Sequence, residues 1–390
     1  MKFLGILIIT FILVLRLICP AFAEDIRLNT TETAVSAAAN AVDLNELNSF
    51  IASLDRETQD LLPRLDLKSW GVTGPDWNFA RIGKQVLRYF LREVVFNFRL
   101  LGELVLLAMA LALLQNMQHA FESENVNKIA FSICFLVVMG LVIHSFTITF
   151  QIAREAIKQM SNFMYAIIPL LFSLIAAGGG VTTTAIVHPI LISSIGLMGG
   201  LMSDLIFPLI LFAGVLGTVH FLVEGFPVDK LANFLKSTAL GLMGLAMAVF
   251  IGIITIRGFA GSIADSTALR TAKYLTNTFL PVVGGSLSDT MEMAVGCSMV
   301  LKGGLGIFGL GLIILIIIFP LMKILAVAVI YQLTGAVIQP LGGNNRLADA
   351  LQTVGGTFLN LFAAVVIVAL MFFIALAILV GIAGTGISIG

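Results

Sequence analysis

Inside strongly apolar surroundings the chain places Gly178, Gly179, Gly180, Thr182, Thr183, Thr184 and His188, with Pro189 directly after them. Three hydroxyls, an imidazole and unencumbered glycine backbone can hydrogen-bond a solute, relay a proton, or let two helices touch. Lys323 adds a cation in another long apolar run, three residues after Pro320. Charge at the centre of a bilayer is costly, so such a residue is a functional candidate by default. These eight residues are the candidate polar pathway or helix-packing site. A lone intramembrane histidine or lysine is more often a hydrogen-bond partner between helices, and the residues alone favour packing over transport. Pro169, Pro208, Pro281 and Pro320 lie in or beside apolar runs and are candidate hinges.

No catalytic site or bound cofactor is expected. The sequence holds no phosphate loop, no His-Glu-x-x-His, no Gly-x-Ser-x-Gly and no Cys-x-x-Cys. Its 4 histidines and 3 cysteines are scattered, which argues against a metal centre. Any energy for transport would come from a gradient or from a partner ATPase.

The elements that must position these residues are membrane helices. Only 11% of the 390 residues are charged and 59% are hydrophobic, with a mean hydropathy of +1.05. Soluble domains carry roughly a quarter charged residues. Zero net charge gives no reason to invoke nucleic acid. A helix needs about 20 apolar residues to cross, and eight stretches qualify: 100–117, 129–150, 163–177, 184–200, 204–223, 238–256, 305–331 and 358–383. The third and fourth are short and flank the glycines, so each is a candidate half-helix or re-entrant segment. Region 259–302 is less apolar, carrying Asp265, Arg270, Lys273, Asp289 and Glu292, and is expected at an interface.

The N-terminus reads as a secretory signal over residues 1–23. Lys2 precedes an apolar run, and Ala21-Phe22-Ala23 is the pattern a signal peptidase cuts. Residues 24–80 form an acidic extracytoplasmic arm in which Leu44, Leu47, Ile51 and Leu54 recur at helical spacing before Pro63. Trp70 and Trp77 close this arm and suit a membrane interface. Residues 81–99 are a basic amphipathic helix: Arg81, Lys84, Arg88, Arg92 and Arg99 alternate with an apolar face. Such a helix either lies in the headgroup layer against anionic lipid or packs on the protein with its arginines paired to the arm.

Residues 100–162 are expected to form a first transmembrane helix pair, followed by two related membrane units, 163–273 and 274–390. The duplication rests on an ordered series. Pro169 and Pro281 close similar pentapeptides, and Pro208 and Pro320 follow Ile-Phe, each pair shifted by 112 positions. The hexads 230–235 and 346–351 are also alike. The expected fold is therefore an all-α polytopic helix bundle with an internal duplication, preceded by a signal peptide and a short helical arm. Repeats are common in transporters and pores, with sites at the repeat interface.

The signal peptide, the acidic arm, the basic helix, the block from Gly178 to Pro189 and the two Phe-Pro helices together resemble the stage III sporulation protein AE family of endospore-forming bacteria. The glycine–threonine block is the most specific part of the likeness, which covers almost the whole chain. The resemblance implies a multi-pass protein of the mother-cell membrane around the forespore. It implies membership of a mother cell–forespore channel, or feeding tube, that supports late forespore gene expression. Its implied partners are ring-forming subunits related to secretion systems, a cytoplasmic ATPase, the forespore-side channel partner and the lipid bilayer. No catalytic residues come with it. A gradient-driven small-solute permease and a non-conducting membrane scaffold are the alternatives. A permease would need Lys323, His188 and the Thr182–Thr184 hydroxyls to face one cavity.

Overall fold

The computed structural model describes residues 43–63, 75–118, 124–221, 228–279, 284–341 and 345–382, and every regular element among them is helical. The expected signal peptide, residues 24–42 and 64–74 of the arm, Pro281, and residues 383–390 of the second unit lie outside the described residues. The elements are α1 (Asn45–Ser53), α2 (Arg56–Gln59), α3 (Phe79–Phe96), α4 (Phe98–Gln118), α5 (Glu124–Ala177), α6 (Val181–Gly200), α7 (Phe207–Val219), α8 (Asp229–Phe279), α9 (Gly284–Ile338) and α10 (Asn345–Ile382).

Long apolar helices dominate because almost nothing in these stretches breaks a helix. The expected spans 129–150 and 163–177 are one continuous α5 of 54 residues. Arg154, Glu155 and Lys158 between them are polar but good helix formers, so they mark a change of surroundings without ending the helix. The expected spans 184–200 and 204–223 likewise form one column. A π-helical segment, Leu201–Ile206, joins α6 to α7 and places Pro208 at the start of the latter, where its missing N–H costs least. No re-entrant half-helix is formed there. Of region 259–302, residues 259–279 belong to the end of α8 and residues 284–302 to the start of α9, and residues 280–283 lie outside the described residues. Five columns are long and apolar enough to cross a membrane: Leu136–Ala177, Val181–Val219, Asp229–Ala268, Val295–Ile338 and Arg346–Gly381.

The core lies between α5, α9 and α10, with α9 against α10 the most extensive contact. Phe163, Phe172, Phe308 and Phe372 are fully enclosed there. Fully burying one such side chain contributes about 1.5–3 kcal/mol. The helices α6, α7 and α8 complete the bundle around α5 and α10. Both matched hexads open long helices, α8 and α10, whereas Pro208 begins a helix and Pro320 sits inside one. The boundary expected at 273/274 falls within α8.

The arm is docked on the bundle. Leu47 is fully buried against α5, and Phe50 meets Phe163 at 5.5 Å between ring centroids. Trp77 stacks on Phe308 at 6.1 Å and occupies the space where Gly311 lacks a side chain. Helix α3 runs along α9, with Tyr89 edge-on to Phe319 at 4.8 Å. Arg92 pairs with Glu57 of the arm at 2.7 Å and lies over the Tyr89 ring, and that hydrogen bond raises the pKa of its guanidinium. The basic helix thus packs on the protein through Arg92 while Arg81, Lys84 and Arg88 remain exposed.

Because the indole of Trp77 fills the gap at Gly311, Gly311→Leu should evict it by steric overlap. The expected result is an arm cut by protease in intact vesicles while the bundle stays in the membrane, and an equally protected arm would refute this docking.

Candidate functional site

The glycine run closes α5 by backbone geometry alone. Gly179 has φ 90°, the left-handed region that L side chains rarely adopt. Gly180 N–H donates to Ile175 O at 2.8 Å, and Gly179 N–H donates to Ala176 O at 3.0 Å. These two bonds are a Schellman motif, which satisfies carbonyls left over at the helix end. The chain then reverses at once into α6, so α5 and α6 form a tight antiparallel pair. Gly178 faces Ser298 of α9, whose Cβ is 3.7 Å from where a Gly178 Cβ would stand.

The start of α6 has no local cap: Gly180 sits at its N-cap and offers no side chain. The acceptor comes from α8. Asp265 Oδ1 accepts from Thr182 N–H at 2.7 Å, and Asp265 Oδ2 accepts from Thr183 N–H at 2.9 Å. Asp265 is only 6% exposed and Thr183 2%. A carboxylate across two N–H groups at a helix N-terminus gains both hydrogen bonding and the favourable end of the helix dipole. Gly261, one turn before Asp265, makes the approach possible. A Cβ there would lie 2.7 Å from Thr183 Oγ1 and 2.9 Å from its Cα.

A second buried ionisable side chain lies at the same end of the bundle. Lys302, one turn beyond Ser298 on α9, is 3% exposed and donates from Nζ to Leu379 O at 3.5 Å. Leu379 lies near the end of the described part of α10. An acid thus serves the start of α6, and Lys302 reaches a backbone carbonyl of α10.

The other predicted residues are distributed differently. Thr184 Oγ1 donates to Gly180 O at 2.8 Å, a bond within its own helix. His188 is half-buried and edge-on to Phe172, with ring centroids 5.1 Å apart. Lys323 is not with them. It lies at the Tyr89 hydroxyl on the arm side, where burial raises the Tyr89 pKa and the lysine opposes that rise. The 25 positions from Ser298 to Lys323 along α9 correspond to about 37 Å at 1.5 Å per residue. The single cavity that a permease site would require is therefore not formed by these residues.

Sequence reasoning missed the central roles of Asp265, Gly261 and Lys302. Their signal was visible as an acid and a base set among apolar residues of long helices, with Gly261 one turn before the acid. Among the described residues no group of three or more His, Cys, Asp or Glu side chains can hold a metal.

The family model for stage III sporulation protein AE matches residues 72–383, which include every residue of this site. The chain is 36% identical over 354 residues to stage III sporulation protein AE of Bacillus subtilis (strain 168), covering 90% of this chain and 88% of that one. No solved structure matches it.

Asp265→Ala leaves two buried N–H groups without a partner. It should lower stability by about 1.5–3 kcal/mol, the range for hydrogen bonds to a charged group. Asp265→Asn keeps an acceptor and should lose less. Thermal unfolding of the detergent-purified variants tests the order, and equal stability of wild type and Asp265→Ala would refute the cap.

Proposed function

This chain belongs to the stage III sporulation protein AE family, and from that premise we propose that it is a membrane component of the mother cell–forespore channel complex. It is a membrane protein with a role in sporulation. In the proposed complex it sits in the mother-cell membrane around the forespore and sustains late forespore gene expression. The docked arm faces the intermembrane space and meets ring-forming subunits and the forespore-side channel partner. The opposite face serves a cytoplasmic ATPase. The chain carries out no chemical step of its own.

The observation that carries this reading is the way the polar residues are spent. Asp265 takes the N–H groups of Thr182 and Thr183, Lys302 takes a carbonyl, and Lys323 takes the arm. Groups held in this way fix helix ends and leave nothing converging on a solute. The interior between α5, α9 and α10 is filled by phenylalanine and leucine side chains. That arrangement suits a rigid base or gate element better than a self-sufficient permease. The glycine–threonine turn is then a close helix crossing that sets the shape of one end of the bundle.

Deleting the gene should arrest sporulation after engulfment, with loss of late forespore transcription and shrinking forespores under the microscope. Complementation with Gly179→Leu, which puts a side chain at φ 90°, should fail to restore spores although the protein remains in the membrane fraction. Normal spore yield in the deletion strain would overturn the channel reading, and normal yield with Gly179→Leu would overturn the role of the turn.

A further inference from the structure

Charged residues mark two levels across the bundle. Between Lys236 and Arg257 helix α8 carries no charged residue, and between Lys302 and Lys323 helix α9 carries none. Each stretch is 20 residues, about 30 Å at 1.5 Å per residue, which matches a hydrocarbon core of about 30 Å. The upper ends of both stretches lie near the glycine turn. Gly180 approaches Asp265, two turns from Arg257, and Gly178 approaches Ser298, one turn from Lys302.

The lower ends lie together as well. Helix α9 runs antiparallel to α5, with Ser298 at Gly178 and Gly309 at Ile167, and that register brings Lys323 level with Arg154. Arg154 Nη2 donates to Ser203 O at 3.3 Å, beside Asp204. On α8, Gly261 meets Thr183 and Ala232 meets Gly217, so Lys236 follows about two turns beyond Asp204. One bilayer fits between these levels. A bilayer set further along α5 would cover its exposed Ile143 and Ile148. It would also immerse the exposed Lys230 and Lys236 of α8 and Asp349 of α10, and leave the apolar face of α8 without lipid.

Between the two levels the flanks of the bundle differ. On α6 and α8 the exposed side chains include Leu197, Leu245, Val249, Ile253 and Ile256. On α5 every exposed residue from Arg154 to Ser173 is polar except Pro169. Glu155, Lys158, Asn162 and Tyr165 follow one face there at spacings of three and four. Tyr165 stands beside Gly196 of α6, and the contacts of α6 and α7 with α8 bring about residue 250 to that height. The arm is docked on the polar side, with Phe50 on Phe163 and Trp77 on Phe308. Exposed Glu46 is one turn from Phe50, and exposed Arg81 and Lys84 lie between Trp77 and Tyr89. Such charges do not lie in hydrocarbon, yet they stand at the height of the apolar face of α8.

We propose that the α5 stripe and the docked arm face water at bilayer depth, opposite the lipid-facing flank of α6 and α8, and form one wall of an aqueous pathway. Glu46 and Glu155 alternate with Lys158, Arg81 and Lys84 along it, which suits hydrated ions and small polar solutes of either sign. The path runs beside the bundle and not through its interior, so the buried polar groups need not converge on a solute. The inference rests on the channel reading for its use as a conduit and deepens it by assigning the face that water occupies.

The test uses the full chain in membranes of sporulating cells, opened to reagents from both sides, with the 3 native cysteines replaced by alanine. Single thiols are placed at matched depth: Lys158→Cys and Asn162→Cys on α5, Ala248→Cys and Ile253→Cys on α8. A charged, membrane-impermeant maleimide reports water, and a lipid-dissolved diazirine located by mass spectrometry reports lipid. Maleimide reacts with the thiolate, which apolar surroundings suppress, so the α5 thiols should react faster than the α8 thiols by about tenfold or more. The diazirine should modify the α8 face and spare the α5 stripe. Diazirine adducts on the α5 stripe would place it in lipid, and protection of the stripe from both reagents would place it under protein; either result overturns the proposal. Rapid maleimide reaction on α8, or its protection from both reagents, would overturn the bilayer level on which the proposal stands. Spore yield is not read, so failure here is separable from failure of the channel assignment.

Discussion

Two hydrogen bonds from the start of α6 to Asp265 of α8 hold a close helix crossing at one end of the bundle. Helix ends in a low-dielectric interior must satisfy their own backbone groups, because water is not there to do it. The chain meets this demand with a Schellman turn at the end of α5 and a borrowed carboxylate at the start of α6. Everything else at that end follows from it. Gly261 must be bare for α8 to approach, Thr183 must be buried beneath it, and Gly178 must be small where Ser298 of α9 passes.

The arm meets the same constraint at mid-height with different means. It contributes large aromatic and aliphatic groups to the flank of α9 and α5 and keeps its charges outward. Glu57 and Arg92 are both substantially exposed, so their ion pair adds little stability by itself. Its effect is orientational: it fixes the arm over Tyr89 and, through Tyr89, over Lys323. A lysine that reads as deep in an apolar run thereby reaches a polar neighbourhood that only the docked arm creates.

These arrangements bear on what a membrane protein of this kind is built to do. Buried polar side chains that satisfy backbone groups hold one end of the bundle together.

The sequence by itself determined the class of the molecule. Hydropathy required a helical membrane protein, and the periodicity at Leu44, Leu47, Ile51 and Leu54 marked the helical arm of which Asn45–Ser53 is the core. The residues at Gly178–Pro189 and the Phe-Pro helices carried the family. Local signals of this kind are legible because each depends on neighbours within one or two turns. What the sequence did not determine was continuity and partnership. Polar residues such as Arg154 and Lys158 looked like the ends of spans, but charge does not break a helix, and α5 continues through them. Asp265 lies 83 positions from Thr182, and Lys302 lies 77 from Leu379. Only the folded bundle sets an acid over one helix start and a base at a carbonyl of another helix, because backbone groups buried away from water take whichever partner the packing brings within reach.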